Sequence, residues 1–303
     1  YPDAPVRILP HSCRDIPFEE GMLLFLAEFD QQAETVCPRG TLRRVIERCR
    51  AMGFEPLAAL EYEFFMFNET PESARAKGYR DLIPFTPDWF GYSMLRNSVH
   101  AELYHEILAM GEIMDFPIEG LHTETGPGVL EAAIGVDGAE AAADKAALFK
   151  TFMKVLAQRR GLMATFMAKW SGKYPGQSGH IHVSLRDKNT DKSAFYDADR
   201  KYYMSKVQRH FLAGQQRLMP EMLCMVAPTL NSYRRMMPGF WAPTDATWGV
   251  ENRTAALRVI PGSDGSQRQE YRLGSADGNP YLALSVALAS GLYGIMHEWE
   301  PSE

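Results

Sequence analysis

Hydrophobic and polar residues alternate most clearly along Ser178–Leu185. In a strand, His180, His182 and Ser184 share one face, and Ile181, Val183 and Leu185 pack behind it. Glu61-Tyr62-Glu63-Phe64-Phe65 repeats the pattern with two carboxylates in front. Arg268-Gln269-Glu270-Tyr271-Arg272 repeats it with Arg, Glu and Arg. We read the three as strands of one sheet with a ligand-lined face. Helical spacing begins after Pro38-Arg39-Gly40. Thr41 reads as an N-cap, and Leu42, Val45, Ile46 and Cys49 keep one face up to the Gly53 stop. A domain boundary is placed near Cys37, after the strand-like run Met22–Phe29, which has no evident partner.

Further on, residues 68–90 read as a loop, with Pro71, Pro84 and Pro87. A helix from Tyr92 to Met110 ends at Gly111. Strands over 116–124 and 129–135 flank the turn Gly126-Pro127-Gly128. Asp137 is read as the cap of an Ala-rich helix that runs to Arg160. A strand over 162–169 and a loop over 170–179 lead to the histidine strand. A helix from Tyr203 stops at Pro220, 231–247 is irregular, and strands cover 249–260 and 267–273. Asn279-Pro280 opens the last helix. Helices and strands intermix without βαβ spacing, so the fold class is α+β.

Composition narrows the partners. The net charge is -6 with no block of Lys or Arg, which argues against nucleic acid. The longest apolar stretch, Tyr281–Met296, falls short of the ~20 residues a membrane span needs and reads as a buried helix. Four cysteines without C-x-x-C spacing read as reduced thiols of a cytoplasmic protein. The chain opens on Tyr1-Pro2-Asp3, with neither Met nor signal sequence, and is expected to be cropped there.

The candidate metal ligands are Glu61, Glu63, Glu124, Glu131, His180 and Glu270. Five carboxylates and one imidazole suit a hard divalent cation, Mg²⁺ or Mn²⁺. Without cations so many carboxylates would repel one another, and two metal ions among them point to phosphoryl chemistry. Arg235, Arg253, Arg258, Arg268 and Arg272 add cations of the kind that grip carboxylate and phosphate. Neither a Walker A sequence nor G-x-G-x-x-G is present, so a nucleotide would bind in another manner.

Together these motifs resemble the glutamine synthetases, specifically the catalytic domain of the bacterial type and its amine-ligating relatives. The matches, in family order over about 60 to 282, are Glu61-x-Glu63, Glu119…Glu124…Glu131, Gly179-His180-x-His182-x-Ser184-Leu185, Asn231-Ser232-Tyr233-x-Arg235, Asn252-Arg253 through Arg258, Arg268-x-Glu270-x-Arg272 and Asn279-Pro280-Tyr281-Leu282. The resemblance implies a curved antiparallel sheet lined with metal ligands and packed by helices. It makes residues 37–303 the catalytic domain and 1–36 the remnant of a small β-grasp domain. It implies one metal at Glu63, Glu124 and Glu131 and a second at Glu61, His180 and Glu270. It gives Glu119, His182 and Ser184 to the nucleotide, Arg258 and Arg268 to its phosphates, and Gly176, Arg235 and Arg272 to glutamate. Arg253 would steady the acyl-phosphate intermediate. The implied reaction uses ATP to phosphorylate the glutamate side chain, and ammonia or an amine then displaces phosphate. A homo-oligomer, a dodecamer with active sites between subunits, is implied as well.

Three positions depart from the family pattern. Pro175 precedes Gly176 where Asn is usual, and Val129 replaces the glutamine of the Gly-Pro-Gly-Gln turn. Trp241 replaces a glutamate that guards the site and helps deprotonate ammonium in the family. An indole cannot take a proton there but can pack against an amine's body. The expectation is a substituted amine, as in gamma-glutamyl-amine or polyamine synthetases. The alternatives are a true glutamine synthetase, with another carboxylate such as Asp245 as base, and a catalytically silent homologue. A silent homologue has no reason to keep six metal ligands and five arginines. Both family ends, β-grasp and C-terminal, are expected to be missing from the sequence.

Overall fold

The computed structural model describes residues 3–89 and 91–302, so Tyr1, Pro2, Phe90 and Glu303 lie outside the described residues. The strands are β1 (Val6–Ile8), β2 (Arg14–Asp15), β3 (Leu23–Leu24), β4 (Ala27–Phe29), β5 (Phe54–Phe67), β6 (Ile118–Thr123), β7 (Val129–Ile134), β8 (Asp137–Gly138), β9 (Met163–Thr165), β10 (Gly179–Asp187), β11 (Trp248–Val250), β12 (Leu257–Ile260) and β13 (Arg268–Tyr271). The helices are α1 (Pro38–Ala51), α2 (Pro71–Ala76), α3 (Met94–Val99), α4 (Ala101–Ile113), α5 (Ala139–Arg159), α6 (Lys206–Val226), α7 (Leu230–Arg235) and α8 (Pro280–Met296).

Nine strands form one sheet in the order β11-β12-β13-β10-β5-β7-β6, with β8 and β9 also paired to β5. Every pair is antiparallel except β11–β12, which is parallel. The central strand β5 is 14 residues long and alternates along its length. Ala58, Leu60, Tyr62 and Phe64 are buried on its rear face, and Glu61 and Glu63 stand on its front. Helices α1, α5 and α8 pack into the same rear core, with Leu42, Ile46, Phe149, Leu284 and Leu288 buried there. Helix α8 is the apolar stretch read as a buried helix. The Asn279 Oδ1 accepts from the Tyr281 and Leu282 amides at its start.

Several boundaries differ from the periodicity reading. The run Met22–Phe29 splits into β3 and β4, which pair with β2 and β1 in two small sheets. The 68–90 loop contains α2, started by a capping box between Thr70 and Ser73. The helix after Tyr92 breaks at His100 into α3 and α4 and runs through Gly111 to Ile113. Gly111 is there for space, since a Cβ would lie 2.8 Å from the Phe116 carbonyl oxygen. The cap of α5 is Gly138, while Asp137 belongs to β8 and pairs with Lys145 at 2.8 Å.

The strand expected over 162–169 forms only over β9. Pro220 sits inside α6, which continues to Val226. A proline removes one backbone bond there, and buried Met219 and Val226 on either side hold the turn. Residues 231–235, read as irregular, belong to α7, opened by a capping box between Thr229 and Ser232. The span 249–260 is two strands, β11 and β12, joined by a turn.

Candidate active site

The front of the sheet is built from cross-strand pairs, and directly opposed residues share a face. His180 lies opposite Glu61, His182 opposite Glu270, and Arg258 opposite Glu270 from the other side. Glu63 lies opposite Glu131, and His122 on β6 lies opposite Glu131 in turn. Six strands therefore deliver carboxylates, imidazoles and a guanidinium to one surface.

Two groups of ligand atoms converge there, each within 4.8 Å: Glu61, His182 and Glu270, and His122, Glu124 and Glu131. His180 stands beside the first, its Nδ1 3.0 Å from Glu61 and 3.4 Å from Glu270. His182 Nε2 is 3.7 Å from Glu61. In the second, His122 Nε2 is 3.3 Å from Glu124 and 3.4 Å from Glu131. Glu63 borders this group, and its Oε2 accepts from the Ser178 amide at 2.6 Å. His122 was not among the residues singled out above, although its spacing to Glu124 is the same period-two signal that marked His180 and His182. Tyr92 was also missed, since it reaches in from a connecting segment. Its hydroxyl donates to Glu124 at 2.6 Å and its ring stacks on His122.

Burial pushes Glu61, Glu124, Glu131 and Glu270 up, and neighbours decide the outcome. Glu131 is pushed up to about 10, by burial first and then by the charges of Glu61, Glu63 and Glu124. Glu124 resists burial through His122, the Tyr92 hydroxyl and the Thr125 amide, and falls to about 2. Glu61 is held well below the ordinary range by His180 and His182 against its burial. Glu270 is likewise lowered against burial by His180, His182 and Arg272. Mixed carboxylate and imidazole donors, crowded so that burial and neighbouring charges raise Glu131, fit hard divalent cations.

Glu61, Glu63, Glu124, Glu131 and His180 line a cleft of about 260 Å³, bordered also by Gly176, Arg235, Arg253, Arg272 and Trp241. The three departures from the family pattern, Val129, Pro175 and Trp241, all lie on its wall. Arg235 is buried and donates to the carbonyls of Arg272, Leu273 and Gly274 at 3.3, 3.0 and 2.6 Å. Burial lowers its pKa to about 10 against the pull of Glu63. Gly176 has no room for a Cβ, which would meet the Arg235 side chain and the Ala168 carbonyl. Arg272 donates to Glu270, and Arg258 bridges Glu270 at 3.1 Å and Glu251 at 2.5 Å. Behind Glu61 a second groove of about 370 Å³ is lined by Glu119, His182, Ser184 and Arg268. Glu119 is set there by a β-bulge in β6, and Arg268 Nε donates to His182 Nδ1 at 3.3 Å. Asp245 lines neither hollow.

A carboxylate-and-imidazole surface bordered by arginines, beside a second groove that shares Glu61, has the chemistry that suits cations and anionic ligands. The family model described as "Glutamine synthetase, catalytic domain" matches residues 35–303, and the chain belongs to that family. The chain is 42% identical over 305 residues to the Type-1 glutamine synthetase 2 of Dictyostelium discoideum, covering 99% of this chain and 58% of that protein. It is 33% identical over 308 residues to a glutamate–isopropylamine ligase of a Pseudomonas species, covering 100% and 66%. It is 37% identical over 306 residues to a gamma-glutamylethanolamide synthetase of Streptomyces coelicolor, covering 100% and 65%. The chain thus spans less than two thirds of each of these relatives. A solved GmaS/ADP complex superposes with a TM-score of 0.87 at 26% identity, over 99% of this chain and 69% of that one.

Proposed function

We propose that the protein is an ATP-dependent ligase that joins the side-chain carboxylate of glutamate to an amine through γ-glutamyl phosphate. The observation that carries this reading is the pair of carboxylate–imidazole groups on one sheet face, bordered by arginines and by a second groove that shares Glu61. In this reading Glu63, Glu124 and Glu131, with His122, hold one divalent cation. Glu61, His180 and Glu270, with His182 alongside, hold another, Mg²⁺ or Mn²⁺. A divalent cation held by these residues would supply neutralisation of charge on the transferred phosphoryl group. Glu119, His182 and Ser184 take the nucleotide, and Arg258 and Arg268 face its phosphates. Gly176, Arg235 and Arg272 accommodate glutamate, and Arg253 faces the acyl phosphate.

A glutamate carboxylate oxygen bonds to the γ-phosphorus as the bond to the ADP oxygen breaks. The amine nitrogen then bonds to the acyl carbon as the carbon–oxygen bond to phosphate breaks, and the nitrogen's proton leaves with the departing phosphate or to water. Trp241 on the cleft wall, with no carboxylate at that position, supports a substituted amine. So do the relatives named for isopropylamine and ethanolamide. The relative named a glutamine synthetase at 42% identity favours ammonium as the second reading. Phosphate release with ATP, glutamate and an amine panel that includes ammonium tests both. Release that requires glutamate and an amine is expected, and none with any amine overturns the reading.

We also infer a homo-oligomer, a dodecamer, with residues 1–36 as the tail of a β-grasp domain preceding the catalytic domain. Ile8, Met94, Leu95 and Leu230 expose apolar side chains that a neighbouring subunit would cover. Light scattering on the full-length protein should give a multiple of the subunit mass, and a monomer would refute this. No helix among the described residues is long and apolar enough to cross a membrane. Four free cysteines support a cytoplasmic setting.

A further inference from the structure

Lys169 lies on the segment between β9 and β10 and is 5% exposed. Its Nζ donates to the Tyr174 carbonyl at 2.6 Å and stands 4.0 Å from the centre of the Phe240 ring. Its backbone is gripped as well. The Asn231 side chain of α7 accepts from the Lys169 amide at 2.8 Å and donates to the Lys169 carbonyl at 2.6 Å. Three stretches of the cleft wall therefore meet on this one residue. They are Pro175-Gly176 beyond Tyr174, Arg235 at the far end of α7, and Trp241-Ala242 beyond Phe240.

A buried ammonium ordinarily has a carboxylate beside it, because an uncompensated charge in the interior costs stability. Among the described residues Lys169 has no such partner, and burial alone lowers its pKa. One carbonyl and one ring face are what it holds. An apolar side chain of the same length would fill the space without that cost, so the charge serves something other than packing. It ties the carbonyl of one wall segment to the ring of another, out of water, where a cation–π contact is strongest. Both segments carry a departure from the family pattern, Pro175 and Trp241, each one residue past the contact. Gly176 is pressed on Arg235, since a Cβ there would lie 2.4 Å from that side chain. A shift of the Tyr174 segment is therefore felt at the arginine.

We propose that Lys169 is a positioning residue for the amine side of the site. Through Phe240 it fixes the wall that presents Trp241 to the incoming nitrogen, and through Tyr174 it fixes the edge of the glutamate pocket. Lys169 does not itself line the cleft, so it acts through these neighbours. The groove behind Glu61 is lined by none of the residues that Lys169 contacts, so nucleotide binding is independent of it. The inference rests on the ligase reading given above and adds to it the residue that orients the wall facing the nucleophile.

The test compares Lys169→Met, Phe240→Leu and the double variant with wild type, each in the full-length protein. Phe240 is half-buried, so Phe240→Leu reads the contact without opening the core. It should raise KM for the best amine by about threefold or more, up to the roughly 30-fold that a desolvated cation–π contact is worth. KM for glutamate should stay as in wild type. Lys169→Met should raise both KM values, because it also frees the Tyr174 carbonyl. In the double variant KM for the amine should equal that of the worse single variant, since both changes act on one contact. ATP affinity, measured by calorimetry without glutamate or amine, should be the same in all four proteins. Amide hydrogen exchange needs no turnover, and it should quicken over residues 236–247 in each variant while β5 keeps its protection. Unchanged amine KM and unchanged exchange over 236–247 in both single variants overturn the proposal. So do additive effects on amine KM, or a loss of ATP affinity in step with the KM changes, which would make Lys169 a residue of the fold alone. A wild type that forms no product with any amine removes the ligase reading, and exchange over 236–247 then decides the Lys169–Phe240 contact by itself.

Discussion

At the scale of single residues, the proposed choice of nucleophile turns on Trp241, which lines the cleft. Attack on an acyl phosphate needs a neutral nitrogen, and ammonium and alkylammonium ions both hold their proton at neutral pH. A carboxylate on the wall would attract ammonium and accept that proton, whereas an indole offers only an N–H donor and a π face. Trp241→Glu should therefore raise kcat/KM for ammonium relative to primary amines. We expect at least about tenfold, a fraction of the roughly 10²–10⁴-fold that a positioned general base contributes. Steady-state rates with ammonium and an amine panel, in wild type and variant, measure it. If wild type already uses ammonium as well as any amine, the indole does not select the nucleophile. His122 shows what residue-level reading passes over. Its period-two spacing to Glu124 was visible, but its partnership with Glu131 depends on the β6–β7 register, which no local pattern fixes.

Among elements, the small N-terminal strands are fastened to the main core by ions. Glu28 on β4 is 3% exposed and meets Arg7, Arg39 and Arg43. Arg39 on α1 continues to Asp144 on α5 at 3.0 Å, and the Tyr281 hydroxyl of α8 donates to Asp144 at 2.7 Å. Burial pushes the Glu28 carboxyl up, but the three guanidiniums outweigh it and hold its pKa at about 2, below the ordinary 4.5. A depressed carboxyl stabilises the fold fully above pH 4.5, and that contribution is lost as pH falls towards 2. Glu28→Gln should destabilise by about 3–5 kcal/mol at pH 7, because three cations lose their shared partner. The gap between variant and wild type should narrow progressively as pH falls from about 4.5 towards 2, as first the unfolded chain and then the folded protein protonates Glu28. Denaturant midpoints of both proteins from pH 7 to pH 3 check this, and a gap independent of pH would assign the loss to packing.

The three site strands were legible because each must bury one face and present the other. Helix ends were less so. Pro220 reads as a stop but lies within α6, and Asn231–Arg235 reads as loop but forms α7, because packing on both sides replaces what local propensity lacks.

For the molecule as a whole, the sheet gathers acidic groups that oppose one another unless a cation lies between them. Glu63 and Glu131 face each other across β5 and β7, and Glu124 completes the crowd from beyond β6. The raised pKa of Glu131 records the cost, set first by burial and then by the neighbouring charges. A divalent cation that binds the native protein and not the unfolded chain adds about 2.7 kcal/mol at a hundred times its Kd. Mg²⁺ or Mn²⁺ should therefore raise the melting temperature by several degrees, given roughly 2–4 °C per kcal/mol for large domains. Substitution of one carboxylate makes the origin of the rise visible. Glu63→Gln removes a charge that repels Glu131, so the metal-free protein should melt no lower than wild type. The same change removes a ligand, so the rise on adding metal should shrink. Differential scanning calorimetry of both proteins, with chelator and with excess metal, reads the two effects separately. A metal-free Glu63→Gln protein that melts several degrees below wild type, with the metal-dependent rise intact, would mean that Glu63 serves the fold through its bond to the Ser178 amide and not the cation.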